Sequence, residues 1–198
     1  MKQETLPLSR IHQAALEFLQ GREDAVLFGA HAVNAYVSEP RMTQDVDLLS
    51  TDAKKLAEEL KEFLSEKFHI AVRVREMGDK GLRIYQVRKE GNRHLIDIRP
   101  VAEFPETEIV EEIQVLAPLE LIVSKVISFQ SRYGKPKSWT DRRDLAVLLL
   151  QFPEFKSETG AVSEILRERG VDEKVLDAWR EIASQDIQIE EDDEDLIF

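Results

Sequence analysis

Two periodicities divide the chain. Ile11, Ala15, Phe18 and Leu19 fall on one side of a helix predicted over residues 9–20, which Gly21 ends. Residues 25–28 form a short apolar run of strand character, and Gly29 breaks it before a segment of helical composition at 30–36. Beyond a loop containing Pro40, Val46 and Leu48 alternate with Asp45 and Asp47, which predicts a strand over 45–49. Leu56, Leu60 and Leu64 lie four apart with Glu and Lys between them, the clearest helical signal, over 52–68. Three more strands are expected at 70–75, 82–87 and 94–99, with glycine-containing turns at 78–81 and 91–92. From about residue 116 the pattern is helical. Pro118 opens a helix over 119–129, and Ser138-Trp139-Thr140-Asp141 reads as a capping box for 142–150. Helices at 161–169 and 172–184 complete the pattern.

This order predicts an α+β fold: a mixed sheet flanked by helices, then a helical C-terminal half. The expected divisions are a core over 1–116, a helical subdomain over 117–185 and an acidic tail over 186–198. The chain has 198 residues, enough for one domain or two small ones sharing a core.

Composition narrows the setting. The most apolar stretch, 113–129, is interrupted by Pro118, Glu120 and Lys125, so no membrane span is expected. Residues 1–9 lack the apolar core of an export signal. Cysteine is absent, which excludes disulfides and thiolate metal sites and fits a cytoplasmic protein. Net charge is −12, and the seven acids between Asp186 and Asp195 supply more than half of it. The body is therefore only mildly acidic, and overall charge does not exclude a nucleic-acid partner.

The chemistry concentrates in three carboxylates. Asp45 and Asp47 are two apart on one strand and so share a face. Asp97 stands in the run Leu95-Ile96-Asp97-Ile98, opposite Ile96 and Ile98. If those strands are neighbours, the carboxylates converge and repel one another unless a cation binds them. Hard oxygen ligands of this kind suit Mg²⁺ or Mn²⁺ and two-metal phosphoryl transfer. Gly29, at a strand-to-helix junction, lets a phosphate approach the helix N-terminus formed by Ala30 and His31. The competing reading has Asp45 and Asp47 capping a loop and Asp97 bridged to Arg99.

The runs Val26-Leu27-Phe28-Gly29-Ala30-His31-Ala32-Val33-Asn34 and Pro40-Arg41-Met42-Thr43-Gln44-Asp45-Val46-Asp47-Leu48 carry a resemblance. They look like the nucleotidyltransferase superfamily of DNA polymerase beta, nearest to the branch of AbiEii-like type IV toxins. That branch has a glycine-rich turn, an Arg-x-Thr/Ser-x-Asp-hydrophobic-Asp strand and a later acidic strand. Its helices supply a Lys and a basic segment ending in Asp-Leu, where Lys125 and Arg142-Arg143-Asp144-Leu145 stand here. The resemblance covers roughly residues 9–150, and its specific motifs lie in 26–49. It implies an NTP-using transferase with Mg²⁺ or Mn²⁺ on Asp45, Asp47 and Asp97, and possible partnership with an antitoxin. One departure is Ala30, where the family usually has Gly or Ser.

Candidate NTP contacts are Gly29, Ala30, His31, Arg41, Thr43, Lys125 and Arg143. Each has a plainer alternative. Arg41 and Thr43 orient the loop, Asn34 makes helix-face hydrogen bonds, and His31 is solvated or capping. His94 is read as structural. Lys125 either snorkels from a core helix or reaches the triphosphate. Arg132, Lys135, Lys137, Arg142 and Arg143, with Tyr133 and Trp139 among them, form a basic island suited to an RNA backbone or simply a loop and helix start. The expected activity is metal-dependent transfer of a nucleoside monophosphate from NTP to a hydroxyl of RNA, protein or a small molecule. The alternative is a degenerate nucleotidyltransferase fold that binds or regulates.

Overall fold

A computed structural model describes residues 6–188. They form the α+β architecture expected from the pattern, and the chain divides into two compact units between Leu121 and Ile122.

The first unit is built on a seven-stranded mixed sheet. Its elements run α1 (Leu8–Leu19), β1 (Ala25–Phe28), α2 (Gly29–Tyr36), β2 (Val46–Ser50), α3 (Ala53–Phe68), β3 (Val72–Glu76), β4 (Leu82–Gln86), β5 (Arg93–Pro100), β6 (Thr107–Val110) and β7 (Ile113–Leu116). The strand order is β3-β4-β5-β2-β1-β7-β6. Leu56, Leu60 and Leu64 of α3 are fully buried, as are Val46, Leu48, Ile84, Leu95, Ile96 and Ile98 of the central strands. Asp52 caps α3 by accepting from the Lys55 N–H at 3.3 Å.

Strand β2 organises the acidic residues. It pairs antiparallel with β1 and parallel with β5, in a register that sets Asp47 beside Asp97. Paired residues of neighbouring strands point to the same face, so this register joins two distant carboxylates. Strand β4 pairs antiparallel with β5 and sets Arg83 opposite Asp97 on the other side.

The pattern gave no hint of the β6–β7 hairpin. Its two-residue turn is Glu111-Glu112, both at positive φ (49° and 66°). Such a turn ordinarily advertises itself with Asn or Gly, and two glutamates conceal it.

The second unit is helical. Helix α4 (Pro118–Ser131) leads into it, followed by α5 (Pro136–Gln151), α6 (Ala161–Glu168) and α7 (Glu173–Ser184). Leu145, Leu148, Val162, Leu166 and Trp179 are fully buried. The Trp179 indole N–H donates to the Ser157 carbonyl at 3.2 Å. The capping box expected at Ser138 is not the start of α5. Pro136 takes the first helical turn, where its fixed φ suits a helix and its missing N–H costs nothing. Ser138 lies inside the helix and donates its hydroxyl to the Lys135 carbonyl at 2.7 Å.

Among the described residues no helix is long and apolar enough to cross a membrane. Most of the acidic tail, 189–198, lies outside the described residues.

Candidate functional site

The strand register assembles the site. Asp47 leaves β2 beside Asp97 of β5, and Asp45 sits two residues upstream of Asp47 at the mouth of β2. All three side chains are part-exposed. Gly29 closes one side. Its φ of 71° belongs to the left-handed region that glycine enters without strain. A Cβ at this position would collide with Asp47 Oδ2 and lie 2.8 Å from Asp47 Cγ. The glycine therefore serves Asp47 as well as the backbone turn into α2.

The loop between α2 and β2 is pinned by short-range hydrogen bonds. The Asn34 side chain donates to the Arg41 carbonyl at 2.8 Å and accepts from the Arg41 N–H at 3.0 Å, acting as a surrogate peptide. The Thr43 hydroxyl donates to the Asp45 carbonyl at 3.0 Å. Asn34 and Thr43 thus fix the approach of the chain to Asp45; for Thr43 this is the loop-orienting role read from the sequence, whereas Asn34 bonds across to the loop and not along its helix face.

Two partners of the carboxylates were not foreseen. The Arg83 guanidinium donates from Nε to Asp97 Oδ1 at 2.9 Å and from Nη2 to Oδ2 at 3.0 Å. His94 stands between two acids, with Nδ1 3.2 Å from Asp45 Oδ2 and Nε2 2.9 Å from Asp97 Oδ1. Burial pushes the Asp97 carboxyl up, but hydrogen bonds from His94 and Arg83, together with their charge, outweigh it and hold the group at about 2. Hydrogen bonding to Asp97 raises the Arg83 guanidinium further above its usual range, and Asp45 and Asp47 add to the effect.

Arg83, not Arg99, is therefore the arginine that pairs with Asp97. Arg99 has its guanidinium 5.1 Å from the Phe28 ring centroid. The Arg83 pairing was hidden because it crosses strands. It depends on a β4–β5 register shifted between Ile84 and Tyr85.

Near Asp45 lies a pair of further imidazoles. His31, in the first turn of α2, approaches His12 of α1 with Nε2 3.3 Å from Nδ1 and the rings edge to face. Burial, then the neighbouring His12 and Arg41, push the His31 ring down to about 4 against the opposing pull of Asp45. Burial likewise lowers His12, which Asp45 partly offsets. His31 is thus a half-buried neutral ring and not a solvated cap.

Ala30 is 6% exposed, which leaves its backbone N–H as its principal polar contribution. Lys125 lies in the second unit, 7% exposed, with Nζ 2.7 Å from Asp144 Oδ2 and 3.4 Å from Asp141 Oδ1. Arg143 Nη1 is 3.9 Å from Asp144 Oδ1. Asp144 is thus an ion-pair partner of Lys125 and lies near Arg143.

The donors suit a divalent cation. One ligand atom each from Asp45, His94 and Asp97 lies within 4.8 Å of the others, two hard oxygens and one imidazole nitrogen.

None of the curated proteins matches the chain by sequence. Among solved structures, the Megavirus polyadenylate synthase superposes with a TM-score of 0.58 at 14% identity, over 74% of this chain and 32% of that one. The chain thus spans about a third of that synthase. A putative nucleotidyltransferase from H. pylori gives a TM-score of 0.54 at 14% identity, covering 92% of this chain and 94% of its own. ANT(2")-Ia, in complex with adenylyl-2"-tobramycin, gives 0.53 at 16% identity over 83% and 97%. These likenesses establish a shared fold. A family model described as "Nucleotidyl transferase AbiEii toxin, Type IV TA system" matches residues 13–196, nearly the whole chain. With its carboxylates on paired strands and its glycine turn against them, the chain belongs to the AbiEii nucleotidyl transferase toxin family.

Proposed function

We propose that this protein transfers a nucleoside monophosphate from an NTP to a hydroxyl acceptor, with Asp45, Asp47 and Asp97 as its metal-binding carboxylates. The observation that carries the reading is the parallel β2–β5 register, which pairs Asp47 with Asp97, with Asp45 just before the strand and 3.2 Å from the His94 ring that also meets Asp97. In this reaction the acceptor oxygen bonds to the α-phosphorus. The bond from that phosphorus to its bridging oxygen breaks, pyrophosphate leaves, and the hydroxyl proton passes to solvent. Mg²⁺ or Mn²⁺, when bound, supplies charge neutralisation for the triphosphate and acidifies the acceptor hydroxyl.

The chain's own residues do the positioning. Gly29 opens the N-terminus of α2, where the N–H groups of Ala30 and His31 are suited to hold phosphate oxygens. Asn34 and Thr43 fix the Arg41–Asp45 loop, and Arg41 is the nearest candidate cation for the triphosphate on that loop. Arg83 holds Asp97 ionised and oriented. Lys125 and Arg143 act in this reading through Asp144, as supports of the helical unit.

Family membership supports NTP as donor and a protein antitoxin as partner. RNA, protein or a small molecule remains the acceptor class. Exposed Tyr133 and Trp139 beside Lys135 and Lys137 favour a polyanionic acceptor such as RNA. The absence of cysteine favours a cytoplasmic setting.

A second reading, a nucleotidyltransferase-fold module that binds without transferring, draws on Ala30 and on the Arg83 pair that already neutralises Asp97. One experiment separates the two. The protein is incubated with each α-³²P-labelled NTP, Mg²⁺ or Mn²⁺, and total RNA or cell protein. Label transfer that disappears in Asp47→Asn supports the transferase. Transfer that survives Asp47→Asn undiminished refutes it.

A further inference from the structure

His94 was expected to be structural, yet it occupies the centre of the acidic site. We infer that His94 is a nitrogen ligand of the metal site, and that it tilts the site from Mg²⁺ toward Mn²⁺. This rests on the metal-dependent reading above.

Geometry is the first argument. On an octahedral ion with bonds of about 2.1 Å, adjacent ligand atoms lie about 3 Å apart. His94 Nδ1 is 3.2 Å from Asp45 Oδ2, and His94 Nε2 is 2.9 Å from Asp97 Oδ1. Nδ1 alone thus stands at ligand spacing from Asp45, the Nε2 contact being a hydrogen bond to Asp97, and one ligand atom each from Asp45, His94 and Asp97 lies within 4.8 Å of the others. A cation held by Asp45 and Asp97 would have an imidazole nitrogen of His94 among its nearest donors.

The second argument is donor capacity. Each Asp97 oxygen already accepts a hydrogen bond from Arg83, one at 2.9 Å and the other at 3.0 Å. A carboxylate has about four lone-pair directions, and with the His94 contact to Oδ1 at 2.9 Å three of these are committed. Asp97 is thus a poorer oxygen donor than a free carboxylate, and the site makes up the difference with nitrogen.

The third argument is selectivity. Mg²⁺ is a hard ion that dehydrates reluctantly and favours oxygen. Mn²⁺ stands among the first-row transition ions, whose affinity for mixed nitrogen and oxygen sites is greater. Replacing one oxygen by imidazole therefore favours Mn²⁺.

The test uses the full chain and MnCl₂ alone. Electron spin-echo envelope modulation of the bound Mn²⁺ reads ligand nitrogen directly, without any turnover. The wild type is expected to show ¹⁴N modulation that His94→Gln abolishes. His94→Gln should also weaken Mn²⁺ at least tenfold while changing Mg²⁺ affinity, measured by competition, less than threefold. Wild-type Mn²⁺ bound without nitrogen modulation overturns the inference and leaves the metal-dependent reading standing. Modulation that persists in His94→Gln also overturns it, by assigning the nitrogen to another ring. Failure of the wild type to bind Mn²⁺ at all removes the inference and the metal-dependent reading together. The wild-type spectrum needs no variant, so a poorly folding His94→Gln protein does not spare the proposal.

Discussion

Substituting Gly29 by Ala tests the linkage between the glycine turn and the acidic site. Two costs add. At φ 71° an alanine enters the left-handed region, at about 1–2 kcal/mol. Its Cβ would also collide with Asp47 Oδ2 and lie 2.8 Å and 2.9 Å from Asp47 Cγ and Cβ. Relieving such overpacking costs about 1–3 kcal/mol. Gly21 supplies the control, because its φ is 72° and an added methyl there would have nothing within 4 Å. Gly21→Ala should therefore lose about 1–2 kcal/mol. Gly29→Ala, bearing both costs, should lose about 2–5 kcal/mol. For a chain of this size that is a fall in Tm of roughly 5–15 °C for Gly29→Ala. Urea and thermal unfolding followed by circular dichroism read both losses. Asp47→Ala removes the two nearest clashing atoms, so in the Gly29→Ala background it should restore about 1–2 kcal/mol, a coupling a double-mutant cycle detects. Equal losses at Gly29 and Gly21, or no coupling to Asp47, would refute the claim that Gly29 is held by its contact with Asp47.

Other outcomes rest on the same geometry. Asp47→Asn should abolish label transfer while leaving Tm nearly unchanged, because it removes one charge from a repelling cluster; a large loss of stability would show Asp47 to be a structural acid instead. Lys125→Ala should destabilise by about 3–5 kcal/mol by stranding Asp144, which is fully buried, and Asp144→Ala should partly rescue it in unfolding assays. Stability should be full above pH 6.5 and decline as pH falls from 6.5 toward 4, because the unfolded chain takes up a proton that the folded His31 ring, lowered to about 4, refuses. That contribution is on the order of 1–3 kcal/mol, and His31→Gln should flatten the slope between urea midpoints at pH 7 and pH 5.

What the sequence disclosed depends on how local each signal is. The leucines of α3 and the alternation around Asp45 and Asp47 are written within one element, and period alone reads them. Gly29 is legible as a break, but its contact with Asp47 is not, because β1 and β2 must first pair. The convergence of Asp47 with Asp97 required knowing that strands about fifty residues apart are neighbours, and resemblance supplied that expectation where period did not. Arg83 and His94 show the limit most clearly. Arg83 faces Asp97 only after the β4–β5 register shifts at Ile84 and Tyr85, which no hydrophobic pattern encodes. His94 precedes Asp97 by three residues, and strand alternation alone would turn it to the opposite face. It reaches Asp97 nonetheless, at the irregular end of the β4–β5 pairing, where Tyr85 lies opposite His94. The residues that decide the charge of this site are thus placed by departures from regular strand geometry. A period-2 reading finds the carboxylates and overlooks the groups that hold them.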